Sequence, residues 1–177
     1  MTRKNLQLVY SEQQIQERLD CLGAEIVERY KGKPLVLVCV LKGAFMFFSD
    51  LVKRLDYDVA VDFVRVASYG NATESSRNIS FTKDVEVSLK DKHVILVDDI
   101  VDSGHTMSFL LNQFAARQAA SLAVAALLSK HERRETDVNV DFVGFELSEK
   151  GYIVGYGLDY AEQYRSLPAI YFMENPS

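Results

Sequence analysis

The sequence predicts an α/β fold: a mostly parallel β-sheet with helices on its faces. Three observations predict it. Short continuous apolar runs occur at residues 35–41, 94–97 and 122–128. They are too short for ordinary helices and too apolar for half-exposed strands, so they read as strands buried on both faces. Segments with apolar residues at helical spacing lie between them, the alternation that a parallel sheet requires. At 177 residues, 48% hydrophobic and 25% charged, the chain can bury a full core and is excluded from the disordered class.

Ser11 followed by Gln14 forms a capping-box pattern, and Ile15, Leu19, Leu22 and Ile26 then recur at helical spacing until Gly32 stops the run. The first buried strand follows at 35–41. After Lys42 and Gly43, the spacing of Phe45, Phe48, Leu51, Val52 and Leu55 predicts a second amphipathic helix. Residues 62–67 read as another strand, and 71–78, almost wholly polar and without period, as a mobile loop. The strand at 94–97 leads into an acidic turn and a helix over about 106–117. Residues 122–128 and 140–145 continue the strand series. No repeat, low-complexity tract or linker interrupts the chain, so one domain is expected. Its core covers about 11–135. From 136 to 177 the chain is richer in Tyr and Gly and has no clear long helix, so a small hood lobe is expected there, with 1–10 a candidate to join it.

Twenty Lys and Arg against twenty-five Asp and Glu give a net charge of −5. That balance argues against a non-specific nucleic-acid binder, which needs a basic surface to displace counterions. The apolar runs fall far short of the roughly 20 residues that cross a bilayer, and residues 1–10 lack the apolar stretch of a signal peptide. Cys21 and Cys39 both lie in segments that read as core, so a reduced, cytoplasmic chain is expected with no membrane partner.

The chemistry gathers at strand ends, where open α/β sheets bind ligands. A buried strand delivers Asp98, Asp99 and Asp102, and a small-residue turn of Ser103, Gly104, His105 and Thr106 then opens a helix. Backbone N–H groups and hydroxyls there suit a phosphate at the positive end of the helix. The neighbouring carboxylates would repel that phosphate and suit sugar hydroxyls or a magnesium ion instead. Together they describe a sugar phosphate. The phosphate loop of nucleotide triphosphatases is excluded, since Asp99 stands where its first Gly should be and His105 replaces its Lys. Gly155 and Gly157 fail the dinucleotide pattern because Tyr160 takes the third Gly position. The run 130–135 lacks the second His of a zinc-protease helix and reads as a solvated turn, Lys130 apart.

The stretch from Asp98 to Thr106 resembles the phosphoribosyl pyrophosphate (PRPP) signature of the type I phosphoribosyltransferases. Leu41-Lys42-Gly43, Ser68-Tyr69-Gly70 and the tail from Asp141 through Asp159 to Arg165 occur in the same order as in the hypoxanthine-guanine phosphoribosyltransferases. The resemblance implies the type I phosphoribosyltransferase fold and purine salvage. The 5-phosphoribosyl group of PRPP would pass to hypoxanthine or guanine, giving IMP or GMP and pyrophosphate. It also implies Mg2+, no nucleic-acid partner and a homodimer or homotetramer.

By resemblance, Leu41, Lys42 and Gly43 form the pyrophosphate loop, whose peptide can be cis, and Arg165 contacts pyrophosphate. Ser103, Gly104, His105 and Thr106 cradle the 5′-phosphate, with only the backbone N–H of His105 assigned. Asp98, Asp99 and Asp159 are the metal candidates. Asp102 lies beside N7 of the purine and would take its proton; its competing role is a helix N-cap. Lys130, which carries only donors, suits O6 of an oxopurine and leaves adenine badly paired. Tyr152 would stack on the base, at a position usually Phe in the family, and Ile153 would meet it through its backbone. Asp159 belongs to the same purine side of the site. Ser68 and Tyr69 open the segment that resembles a catalytic lid. Two alternatives stay open: a xanthine-preferring transferase, and a PRPP-sensing RNA-binding regulator on the same fold.

Overall fold

A computed structural model of the chain describes residues 6–69, 78–132, 134–148 and 151–174. Helix α1 (Glu12–Tyr30) starts as expected: the Gln14 N–H donates to the Ser11 hydroxyl at 3.2 Å, and the Ser11 N–H donates to the Gln14 side-chain oxygen at 2.9 Å. Ile15, Leu19, Leu22 and Ile26 are buried along one stripe. Cys21 lies off that stripe and is exposed, contrary to its expected place in the core, while Cys39 is buried. The stripe packs one face of a sheet whose strands are β2 (Leu35–Val40), β3 (Ala60–Tyr69), β4 (Asn78–Lys83), β5 (His93–Val101), β6 (Ser121–Ser129) and β7 (Phe142–Glu146).

The six strands lie in the order β4-β3-β2-β5-β6-β7. All neighbours are parallel except β4, which pairs antiparallel with β3 at the edge. Asn78 is therefore in a strand rather than in the expected loop, and 70–77 lie outside the described residues. Successive side chains alternate between two cores. Leu35, Leu37 and Cys39 face α1 and α2 (Phe45–Val52), while Val36, Val38 and Val40 face α3 (His105–Ala115). That alternation is why β2 lacks polar residues: neither of its faces meets water.

Two elements differ from the sequence expectation. α2 ends at Val52, before Leu55, because the N–H groups of Arg54 and Leu55 donate to carbonyls three residues back and tighten the last turn. β5 runs straight through Asp98 and Asp99, where an acidic turn was expected. Its neighbour β6 continues alongside, with Asp98 paired to Ala126 and Val101 to Ser129, so the sheet ladder defers the turn to 102–104.

A second sheet, antiparallel in the order β1-β9-β8, joins β1 (Leu6–Tyr10), β9 (Ile170–Met173) and β8 (Tyr152–Val154). The expected start of the hood at 136 does not match this sheet. Residues 142–146 belong to the core sheet because β7 pairs with β6. The small sheet is built from β1 and from residues beyond 151. The Tyr10 ring stacks on Phe145 at 3.9 Å and its hydroxyl donates to the Glu146 carbonyl, fastening the small sheet to β7. Among the described residues no helix is long and apolar enough to cross a membrane.

Candidate active site

The chain leaves β2 for β3 on one side, whereas β5, β6 and β7 progress to the other. The strand order therefore reverses between β2 and β5, and their carboxyl ends open a crevice of the kind that binds ligands in open α/β sheets. Leu41, Lys42 and Gly43 follow β2, and the Leu41–Lys42 peptide is cis. Gly43 packs so tightly that a Cβ there would overlap the Asp99 carboxylate, and a Cβ at Gly157 would overlap the Gly43 carbonyl. Gly157 also has φ +98°, where a side chain is strained. Three segments far apart in sequence thus touch at a point that admits only glycine.

Asp98 and Asp99 lie late in β5, and their carboxyl groups are close enough to hydrogen-bond each other. Burial raises the Asp98 carboxyl well above its ordinary range, and the charge on Asp99 adds to the effect. Burial raises Asp99 as well, against the pull of the Ile100 N–H that donates to it at 2.9 Å. The folded chain therefore holds these protons more tightly than the unfolded chain. The stability they confer is present at low pH and is lost as pH climbs from the ordinary carboxylate range through the raised values. Asp98→Asn, which keeps an acceptor for the Asp99 N–H, is expected to raise the melting temperature by about 2–4 °C for each kcal/mol relieved. Melting curves should show a larger gain at pH 8 than at pH 5; an equal gain at both would contradict the charge argument.

Beyond Val101 the chain turns into α3. Gly104, at φ +88°, takes the N-cap position, two residues beyond Asp102. The Ser103 carbonyl accepts from the N–H groups of Glu135 and Thr136, and a Cβ at Gly104 would stand 2.7 Å from the Thr136 carbonyl. The His105 ring meets Glu135 at 2.7 Å and Thr136 at 3.0 Å, which leaves its backbone N–H as its contribution to the turn. A helix start without a side-chain cap is a ready anion site.

At the neighbouring strand end, Lys130 follows β6, only 7% exposed, and its N–H donates to the Val101 carbonyl at 3.0 Å. Arg134 corrects the expectation that the rest of 130–135 is a solvated turn. Its guanidinium is part-buried and donates to the carbonyls of Val101, Lys130 and Val138, tying together the ends of β5 and β6. Across the crevice, Arg165 donates to the Gly157 carbonyl at 2.7 Å and pairs with Asp159 at 2.7 Å. Lys42 pairs with Glu162 at 2.6 Å. Tyr152 is 54% exposed, with the Tyr160 ring edge-on at 5.2 Å, and Ile153 beside it is buried.

The family model for the phosphoribosyl transferase domain matches residues 8–161. The chain belongs to that family. It is 42% identical over 163 residues to the hypoxanthine-guanine phosphoribosyltransferase of Bacillus subtilis, covering 92% of this chain and 90% of the relative. It is also 42% identical over 173 residues to the enzyme of the same name from Aquifex aeolicus, covering 97% of each. Among solved structures, a hypoxanthine phosphoribosyltransferase from Staphylococcus aureus superposes with a TM-score of 0.92 at 38% identity, covering 97% of this chain and 93% of that one.

In this phosphoribosyltransferase, Lys42, Gly43, Asp99 and the tail residues Asp159 and Arg165 meet through a chain of direct contacts. Asp102, the Ser103–Thr106 turn and Lys130 stand at adjacent strand ends. Ser68 and Tyr69 close β3, paired with Ile79 and Asn78 through the backbone; their side chains are outside what is described. The described residues hold no cluster of three acidic, His or Cys side chains that could cage a metal. Two adjacent buried carboxylates with raised proton affinity still fit magnesium, which takes oxygen ligands, commonly from one or two carboxylates and substrate phosphates rather than from an all-protein cage.

Glu162 and Arg134 were missed by sequence reasoning, as was the bond from the Tyr156 hydroxyl to Asp50 at 2.6 Å, which anchors the turn carrying Gly157. The only signal for Glu162 was its place midway between Asp159 and Arg165, an acidic, acidic, basic set at spacings of three.

Proposed function

We propose that this phosphoribosyltransferase moves the 5-phosphoribosyl group of PRPP onto hypoxanthine or guanine, releasing pyrophosphate and forming IMP or GMP. The observation that carries the reading is the grouping at the β2–β5 crevice. A helix start without a side-chain cap, paired carboxylates and a cationic loop lie on adjacent strand ends, with a buried lysine one strand further on. The names of the relatives support the same substrates.

The residues divide the work by chemistry. Backbone N–H groups from Ser103 to Thr106 would hold the 5′-phosphate, and Asp98 and Asp99 would take ribose hydroxyls or the metal. Lys42, on the loop Leu41-Lys42-Gly43, and Arg165 would draw negative charge from the leaving pyrophosphate. Cleavage at C1 of the ribose leaves a cationic, oxocarbenium-like sugar, as in other glycosyl transfers, so holding that charge apart is the main electrostatic task. Asp102 would receive the N7 proton as the base attacks. Lys130 would donate to O6, Tyr152 would stack on the ring and the backbone at Ile153 would align it. Magnesium held by Asp98, Asp99 and Asp159 together with the substrate would supply further neutralisation of pyrophosphate. Ser68 and Tyr69 stand where a closing segment would begin, and closure would keep water from the sugar.

The reading places the enzyme in the cytoplasm as a homodimer or homotetramer. Phe45 on α2 and the neighbouring Val61 and Phe63 of β3, all apolar and exposed, support association. The test is formation of IMP from hypoxanthine followed by absorbance. Product should form with PRPP and Mg2+, stop with excess chelator and resume when Mg2+ is restored. No product from the complete mixture would overturn the reading.

A further inference from the structure

We propose that Glu162 is an internal competitor for pyrophosphate, holding the two cations that take the leaving group until the ligand displaces it. The inference rests on the reading that Lys42 and Arg165 bind pyrophosphate. One carboxylate oxygen of Glu162 lies 2.6 Å from Lys42 Nζ and the other 3.2 Å from Arg165 Nη2. A single anion thus bridges both cations through two oxygens, which is the arrangement two oxygens of a pyrophosphate would adopt.

The bridge is delivered by a built turn rather than by a wandering side chain. The Glu162 N–H donates to Asp159 Oδ2 at 2.8 Å, Ala161 and Glu162 have φ of +49° and +62°, and Tyr160 and Gln163 bond backbone to backbone across them. Two consecutive left-handed residues set the direction in which the Glu162 side chain leaves the backbone. Among the described residues Lys42 has no other anionic partner, whereas Arg165 keeps Asp159 and the Gly157 carbonyl. When Glu162 leaves, Arg165 therefore stays in place and Lys42 is released to follow the ligand.

The pairs are poised to exchange. Glu162 is 65% exposed and Lys42 48% exposed, so water and salt screen their attraction and the contact breaks at little cost. With Glu162 in place, two cations face two carboxylates and present no net charge to an arriving anion. Returning to Lys42 as the bond to pyrophosphate loosens, the same carboxylate would speed release of the product.

The test is calorimetric titration of magnesium pyrophosphate and, separately, IMP into the full-length enzyme and its Glu162→Gln and Lys42→Ala variants. Glu162→Gln is expected to bind pyrophosphate about threefold to tenfold more tightly, while IMP, whose phosphate sits at the Ser103–Thr106 turn, binds unchanged. Lys42→Ala should bind pyrophosphate more weakly. If Lys42→Ala weakens pyrophosphate but Glu162→Gln leaves it unchanged or weaker, the competitor is refuted and the pyrophosphate site stands. An equal gain for IMP would also refute it, since that marks a general charge effect. Unchanged binding in Lys42→Ala would overturn the pyrophosphate site itself.

Discussion

Asp102→Asn is expected to lower kcat by about a hundredfold or more, the usual worth of a positioned general base, while PRPP affinity stays within about twofold. The geometry separates the two effects. Gly104, not Asp102, takes the N-cap position of α3, so Asp102→Asn leaves the N-cap residue of the helix proposed to hold the phosphate in place. Asn has nearly the same shape as Asp but cannot take the N7 proton at neutral pH. Stopped-flow or steady-state kinetics with saturating hypoxanthine, set beside PRPP titrations, would check this. Parallel loss of kcat and PRPP binding would make Asp102 a structural residue of the turn.

Lys130→Ala should carry the second large effect. The side chain is 7% exposed at the end of β6, beside the strand end that leads to Asp102. A hydrogen bond from a charged donor is worth roughly 1.5–3 kcal/mol. Its loss should cut kcat/KM for hypoxanthine about tenfold to a hundredfold while leaving the already poor use of adenine little changed. Discrimination between the two bases would narrow by the same factor. Competition assays with hypoxanthine and adenine read this ratio directly. An unchanged ratio would remove Lys130 from base recognition.

Most of the fold was legible because it depends on local apolar pattern. The stripe through Ile15, Leu19, Leu22 and Ile26 and the runs in β2, β5 and β6 are buried as the sequence implied. Cys21 shows how the same pattern could have been read more closely, since it falls outside that stripe and is exposed. Strand pairing was less legible. β1 and β9 pair across nearly the whole chain, and short edge strands carry little signal of their own. The extension of β5 through two aspartates depends on a neighbouring strand that continues beside them, which no propensity for Asp would indicate.

The candidate site divides along similar lines. Residues within one continuous motif, Asp98 to Thr106, could be grouped from spacing alone. Contacts between motifs could not. The fit of Gly43 against Asp99 and of Gly157 against Gly43 depends on backbone approach between loops, and the Lys42–Glu162 pair joins residues 120 positions apart. Arg134 was hidden for another reason: a charged run suggests a solvated surface, yet a long arginine can bury its head against strand-end carbonyls.

The most direct test of the account is pyrophosphate release measured side by side with hypoxanthine, guanine, xanthine and adenine, each with PRPP and Mg2+. The account predicts rapid release with hypoxanthine and guanine and little with adenine. Equal release with adenine, or no release with any base while PRPP still binds, would contradict it.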